Sequence, residues 1–275
     1  CGKTAEVADL QDVLLRIMQG VSVFAHRAAE KGARDPAVDA FTPHAWFTTL
    51  TNVNFDADRF VALIGQALDM RLMARALAEN AGADLSDLPE PATWNPGRTP
   101  EALALSAPFA SILRFSDRDG PSIVGLRDLI LYGRKGTAAC SEPPRVLGRE
   151  EAAISPEFHP LSAFLAADPA NVDALLTEAL AVGALNLKVM ELLDAANTER
   201  FGHPEITRLR MTPKAGKALL VSGHDLGDLE DILKQTEGKG IHVYPHGEML
   251  PANAYPGLKK YPHLVGNYAG AWQDQ

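Results

Sequence analysis

Two short clusters late in the chain carry residue types that bind metals or move protons. They are Gly223-His224-Asp225 and His246-Gly247-Glu248. An imidazole paired with a carboxylate suits iron or zinc, because calcium and magnesium favour all-oxygen shells. Two ligands are too few to close a metal site, so further donors must come from elsewhere. Each cluster also has a plain structural reading: Asp225 as a helix cap, and His246-Gly247-Glu248 as an ordinary turn. A metal-dependent hydrolase is a further reading of the same residues. It needs a third ligand, with His246 or Asp225 in reach.

The elements around the clusters explain why they could act together. KALLVSG (217–223) is a short apolar run that reads as a buried parallel strand. DLEDILKQTEG (228–238) reads as a helix with Leu229, Ile232 and Leu233 as its stripe and Gly238 as its C′ residue. GIHVY (240–244) is the second strand. Strand, helix, strand is a βαβ unit, whose parallel strands finish on one edge. Ligands of open α/β sheets bind outside that edge, and adjacent strands are about 4.8 Å apart. His224 and Glu248 therefore stand at corresponding exits, within reach of one small ligand or metal ion. Gly223 and Gly247 allow close backbone approach there.

The remaining histidines, His26, His44, His159, His203, His242 and His263, read as structural or solvated. No Gly-x-Gly-x-x-Gly follows the strand, GLRDLILYGRKGT (125–137) lacks the ending of a phosphate-binding loop, and no Gly-x-Ser-x-Gly elbow occurs.

Upstream the pattern is helical and repeated. In DLQDVLLRIMQGVSVF (9–24), Leu10, Val13, Leu14, Ile17, Val21 and Phe24 form one apolar stripe. GLRDLILYGRKGTAAC (125–140) places Leu126, Leu129 and Ile130 equivalently, and Gly136 matches Gly20 at an offset of 116. A second pair of segments, from Phe47 and from Phe164, matches at an offset of 117, with Asp56 and Asp173 as expected helix N-caps. Residues 1–215 thus read as a helical domain of two three-helix-bundle repeats, about 1–90 and 100–215. The Pro- and Gly-rich stretch 81–103 links them, and 141–160 is a loop inside the second. Residues 216–275 read as an incomplete, Rossmann-like α/β domain. Two strands do not make a stable sheet, so a missing remainder of the chain is expected. The fold class is α plus α/β.

The bulk composition narrows the function. A net charge of −9 argues against phosphate-backbone binding, so no nucleic-acid partner is expected. No apolar run reaches the ~18–20 residues that cross a bilayer. Two cysteines, Cys1 and Cys140, are no disulfide framework, and a reducing cytoplasm is the expected location. The chain begins with Cys rather than Met, so either end is readable as a cut through a longer protein.

These residues together resemble the hybrid-cluster proteins, also called prismane proteins or hydroxylamine reductases. The matching text is CGKTAEVADLQDVL, FTTLTNVNFD, LYGRKGTAA, LLDAANTERFGHPE, VSGHDLGDLEDILKQTEGKGIHVY and HGEMLPANAYPGLKKYPHLVGNY, in order along essentially the whole chain. The resemblance implies two three-helix bundles followed by α/β domains. It implies a hybrid iron–sulfur–oxygen cluster where the domains meet, and a conventional 4Fe-4S or 2Fe-2S cluster near the N-terminus. It makes His224 and Glu248 iron ligands of the hybrid cluster, and Cys1 the last of four cysteines holding the conventional one. The other ligands would lie before residue 1 and beyond Gln275.

Cys140 stands where the family usually has an aromatic and reads as a small core residue. Pro245 replaces a usual Thr, and Ala269 a common Gly. The implied chemistry is reduction of small nitrogen species, hydroxylamine to ammonia or nitric oxide, with electrons from a partner reductase or ferredoxin. The alternative is a catalytically inert fragment or a helical interaction module that lacks most cluster ligands.

Overall fold

The computed structural model describes residues 3–50, 53–111, 114–149 and 153–270. Cys1 lies outside them. The chain divides into two compact units, Gly2–Glu142 with Glu151–Val189, and Pro143–Glu150 with Met190–Gln275. Among the described residues, no helix is long and apolar enough to cross a membrane.

The first unit is built around α1 (Ala5–Ala29), capped by the Thr4 hydroxyl on the Val7 N–H. The expected stripe is buried, and so are the other faces: every residue from Val13 to Ala25 is covered, Arg16, Gln19 and Ser22 included. A helix covered all round is a central helix rather than a one-faced one. Around it pack α2 (Pro36–Thr48), α3 (Ala57–Asn80), α4 (Glu90–Thr93), α5 (Pro100–Ala110) and α7 (Phe158–Ala166). The buried arginine is held by Glu90 and, at 3.4 Å, by Asp168. The expected linker 81–103 therefore contains helix α4 and the start of α5.

The order of long, short and long helices occurs twice: α1, α2, α3, then α6 (Ser116–Val146), α7 and α8 (Val172–Phe201). Gly120, at φ 79° and ψ 165°, breaks α6 just before the repeat begins. The copies interlock through their short helices. On α2, the Trp46 ring lies 4.3 Å from the Arg134 guanidinium carbon of α6, and His44 lies 3.4 Å from Glu142. On α7, buried His159 meets Ser22 Oγ of α1 at 3.2 Å and Asp39 Oδ1 of α2 at 2.9 Å.

Asp56 caps α3 as expected, accepting from the Asp58 and Arg59 N–H groups. Asp173 does not cap α8. Asn171 takes that place, its Oδ1 accepting from Ala174 N–H at 2.9 Å, and Asp173 sits in the first turn. Residues 141–146 are helical rather than loop. The carbonyls of Pro143 and Pro144 accept the closing bonds from Leu147 and Arg149, and Gly148 takes the left-handed turn at φ 77°.

In the second unit, β1 (Lys217–Ser222) pairs in parallel with β2 (Ile241–His246) across α9 (Leu226–Thr236). This is the βαβ unit read from sequence. Leu229 and Leu233 of α9 pack with Val243 of β2 in one core. The strand β1 is not buried, as its apolar run implied. Leu219 and Leu220, on opposite faces, are 39% and 54% exposed. β1 pairs only with β2 among the described residues, so one edge and much of both faces stay open. β2 is the better covered. Its other edge pairs with residues 263–268, through parallel bridges Val243–Leu264 and His246–Tyr268. The tail after β2 therefore forms an irregular third line of the sheet. α10 (Pro256–Lys259) precedes that line.

Candidate metal centre

The register of the two strands decides the site. Each pair from Lys217–Ile241 to Ser222–His246 is separated by the same 24 residues. Carrying that spacing two residues past the strand ends pairs His224 with Glu248. Their side chains meet: His224 Nε2 lies 2.8 Å from Glu248 Oε2. The histidine side chain is 20% exposed and the glutamate 60%, so the pair opens outward at the carboxyl edge of the strands.

The same spacing supplies a tie below the pair. Ser222 Oγ and His246 Nδ1 are 2.7 Å apart, and His246 Nε2 lies 3.2 Å from the Gly270 carbonyl. The imidazole is 1% exposed and meets the Tyr268 ring edge to face at 6.0 Å. The sequence reading placed His246 in a turn and missed this role. The constant interval of 24, which couples Ser222 to His246 and His224 to Glu248, was the available signal.

Two local devices aim this pair. Asp225 caps α9, its Oδ1 accepting from the Gly227 N–H at 2.6 Å and the Asp228 N–H at 3.2 Å. That fixes the turn carrying His224. Gly247 sits at φ 60°, a conformation that side chains resist, and starts the 3-10 turn Gly247–Asn253 that carries Glu248. So both structural readings of the clusters hold together with the convergence of His224 and Glu248. Pro245 fits because its carbonyl, not its missing N–H, makes the bond to Tyr268.

Asp225 and His246 are thus each engaged in hydrogen bonds that position the two turns. Among the described residues, no three His, Cys, Asp or Glu side chains gather as a metal group. The donor set that is present, one imidazole nitrogen and one carboxylate oxygen 2.8 Å apart, has the chemistry iron accepts.

The other histidines are structural or solvated. His242 Nε2 reaches the Ala215 carbonyl at 3.2 Å, and His263 Nε2 lies 3.0 Å from Thr236 Oγ1. His26 lies 3.7 Å from Glu30, and His203 is exposed.

Near the start of the chain, two lysines converge on consecutive carbonyls: Lys3 Nζ donates to Leu50 O, and Lys135 Nζ to Thr49 O at 3.4 Å. Burial pushes both ammonium groups down to about 8, and Asp12 partly offsets this at Lys135. Cys140, expected in the core, is half-buried on an open face of α6 beside Gly136, since no third helix covers that face among the described residues.

Comparison with known proteins finds relatives along the whole chain. A hydroxylamine reductase of Burkholderia lata is 52% identical over the whole of this chain, and one of Acidithiobacillus ferrooxidans is 49% identical. A hydroxylamine reductase of Burkholderia ambifaria is 50% identical. The chain spans about half the length of these curated relatives, 50% in each case. The family model that matches does so over residues 1–275. The chain belongs to the Prismane/CO dehydrogenase family.

Proposed function

We propose that this chain is part of an iron–sulfur oxidoreductase that reduces small nitrogen species, hydroxylamine to ammonia or nitric oxide. The observation that carries the reading is the meeting of His224 and Glu248 at 2.8 Å on the carboxyl edge of a βαβ unit. Their Nε2 and Oε2 atoms are the donors that would hold iron of the hybrid cluster. Cys1 would be one thiolate of the conventional 4Fe-4S or 2Fe-2S cluster. The remaining ligands would come from the rest of a polypeptide of the relatives' length.

When bound, the clusters supply electrons and an iron position able to take a nitrogen- or oxygen-bearing substrate. The chain's own residues hold the donors in place. Ser222 and His246 fix the separation of the strand ends, Asp225 fixes the turn at His224, and Gly247 sets the turn at Glu248. The exposed glutamate has room to swing away from His224, so its carboxylate can change its mode of binding. A reductase or ferredoxin in the cytoplasm would be the electron donor.

The test uses the full-length protein, reconstituted anaerobically with iron and sulfide. His224→Ala and Glu248→Ala are each expected to lower iron per chain and to abolish hydroxylamine-dependent oxidation of a reduced dye. If Glu248→Ala keeps both the cluster spectrum and turnover, the assignment is wrong.

A further inference from the structure

The two copies of the helical repeat differ in one respect that neither the site nor the family membership accounts for. In the first copy, the groove between α1 and α3 is filled. Leu103, Ala107 and Ala110 of α5 join α1 and α3 in one core, and α4 lies so close that a Cβ on Gly20 would stand 2.2 Å from the Pro91 carbonyl oxygen. In the second copy, no described residue fills the corresponding groove between α6 and α8. Gly136, the counterpart of Gly20, has no heavy atom within 4 Å of its Cβ position.

Exposure follows the same division. Val13 is 0% exposed and its counterpart Leu129 is 58% exposed; Leu63 is 2% exposed and its counterpart Leu180 is 77% exposed. The open groove encloses about 800 Å³ and is lined chiefly by apolar and glycine residues, with Cys140 on its wall. The two helices themselves are in close contact, since a Cβ on Gly133 would lie 3.0 Å from Val182.

The cause is visible in the chain order. After α3 the chain adds α4 and α5, which close the first groove; after α8, residues 202–216 contain no helix. The second copy thus has the groove without the covering segment. Exposed leucines in one patch mark a buried contact elsewhere. Glycines at 133, 136 and 183 along the floor let a backbone come close, as Pro91 does at Gly20.

We infer that the α6/α8 groove is the seat of a helix from the same polypeptide outside residues 1–275, occupying the place that α5 holds in the first copy. The occupant is intramolecular for two reasons. The relatives carry as much chain again as is present here. The equivalent groove is already filled by the chain's own α4 and α5.

Thiol labelling of the full-length protein tests this. Leu180→Cys, at the most exposed leucine of the groove, is compared with Glu79→Cys on the open end of α3, using a maleimide under reducing conditions and reading each site by peptide mass. Labelling at position 180 at least fivefold slower than at position 79, unchanged by hundredfold dilution, is the expected result. A smaller difference means the groove is open and overturns the inference. Protection that disappears on dilution as the molar mass halves assigns the groove to a second copy and also overturns it. The wild-type thiol of Cys140 gives the same readout without a substitution: it is expected to be protected in the folded full-length protein, and reaction at the rate of position 79 overturns the inference.

Discussion

Gly20 and Gly136 occupy equivalent places in the two repeats, and the same substitution there should have opposite effects. Alanine is favoured over glycine inside a helix by about 0.8–1 kcal/mol. At Gly136 nothing stands in the way of the added methyl, so Gly136→Ala should stabilise residues 1–275 by about that amount. At Gly20 the methyl would sit 2.2 Å from Pro91 O and 2.8 Å from Pro91 C, both backbone atoms. Relief requires α4 to withdraw by about 1 Å, against the Arg71 hydrogen bonds to the Pro91 and Trp94 carbonyls. Overpacking of this kind costs typically 1–3 kcal/mol, which offsets the propensity gain and leaves Gly20→Ala destabilised by up to about 2 kcal/mol. The propensity gain is common to both, so the two variants should differ by the overpacking cost, about 1–3 kcal/mol, in urea unfolding followed by far-ultraviolet circular dichroism. A Gly20→Ala variant as stable as Gly136→Ala would refute the packing argument.

Three further outcomes follow from the same structure. Asp225→Ala removes two bonds to the first turn of α9 and should cost about 1 kcal/mol, with faster hydrogen exchange at Gly227 and Asp228. His159→Phe leaves buried Ser22 and the largely buried Asp39 carboxylate without their shared partner, and should lower stability by about 2–4 kcal/mol in thermal unfolding. Lys135 has a proton affinity depressed by burial, from 10.5 to about 8. Below about pH 8 its ammonium is charged in both the folded and unfolded chain, and the burial cost stands in full. Between about pH 8 and 10.5 the folded chain releases the proton first, so stability rises with pH across that window. Lys135→Met should flatten its share of that rise and stabilise the chain below pH 8 by roughly 2–3 kcal/mol, as urea unfolding at pH 7 and pH 10 would show.

How much of this could be read in the residues depends on the range of the interactions. The βαβ unit was legible because its signals are local: an apolar run, a stripe at Leu229, Ile232 and Leu233, then another apolar run. Parallel pairing followed, and with it the meeting of His224 and Glu248. The exposure of β1 was not legible, because Leu219 and Leu220 look alike whether or not another layer covers them. Asp56 was identified as a cap and Asp173 misassigned, since Asn171 and Asp173 both carry capping side chains and only the local backbone decides between them. The stripe on α1 was found, but not the burial of its far side. That burial depends on α4, α5 and α7, which arrive from distant sequence. The Ser222–His246 tie needed the register, a pairwise quantity that no single segment contains.

The central position of α1 also orders events during synthesis. This helix leaves the ribosome well ahead of α7, which packs against it, holds Ser22 through His159 and ends at Ala166, 137 residues after Ala29. At about 5–20 residues per second, its apolar surface waits roughly 7–30 s for that last neighbour. The nascent chain therefore carries an unfinished core while those residues are made, and its yield in a cell should depend on elongation speed and on factors that shield emerging helices.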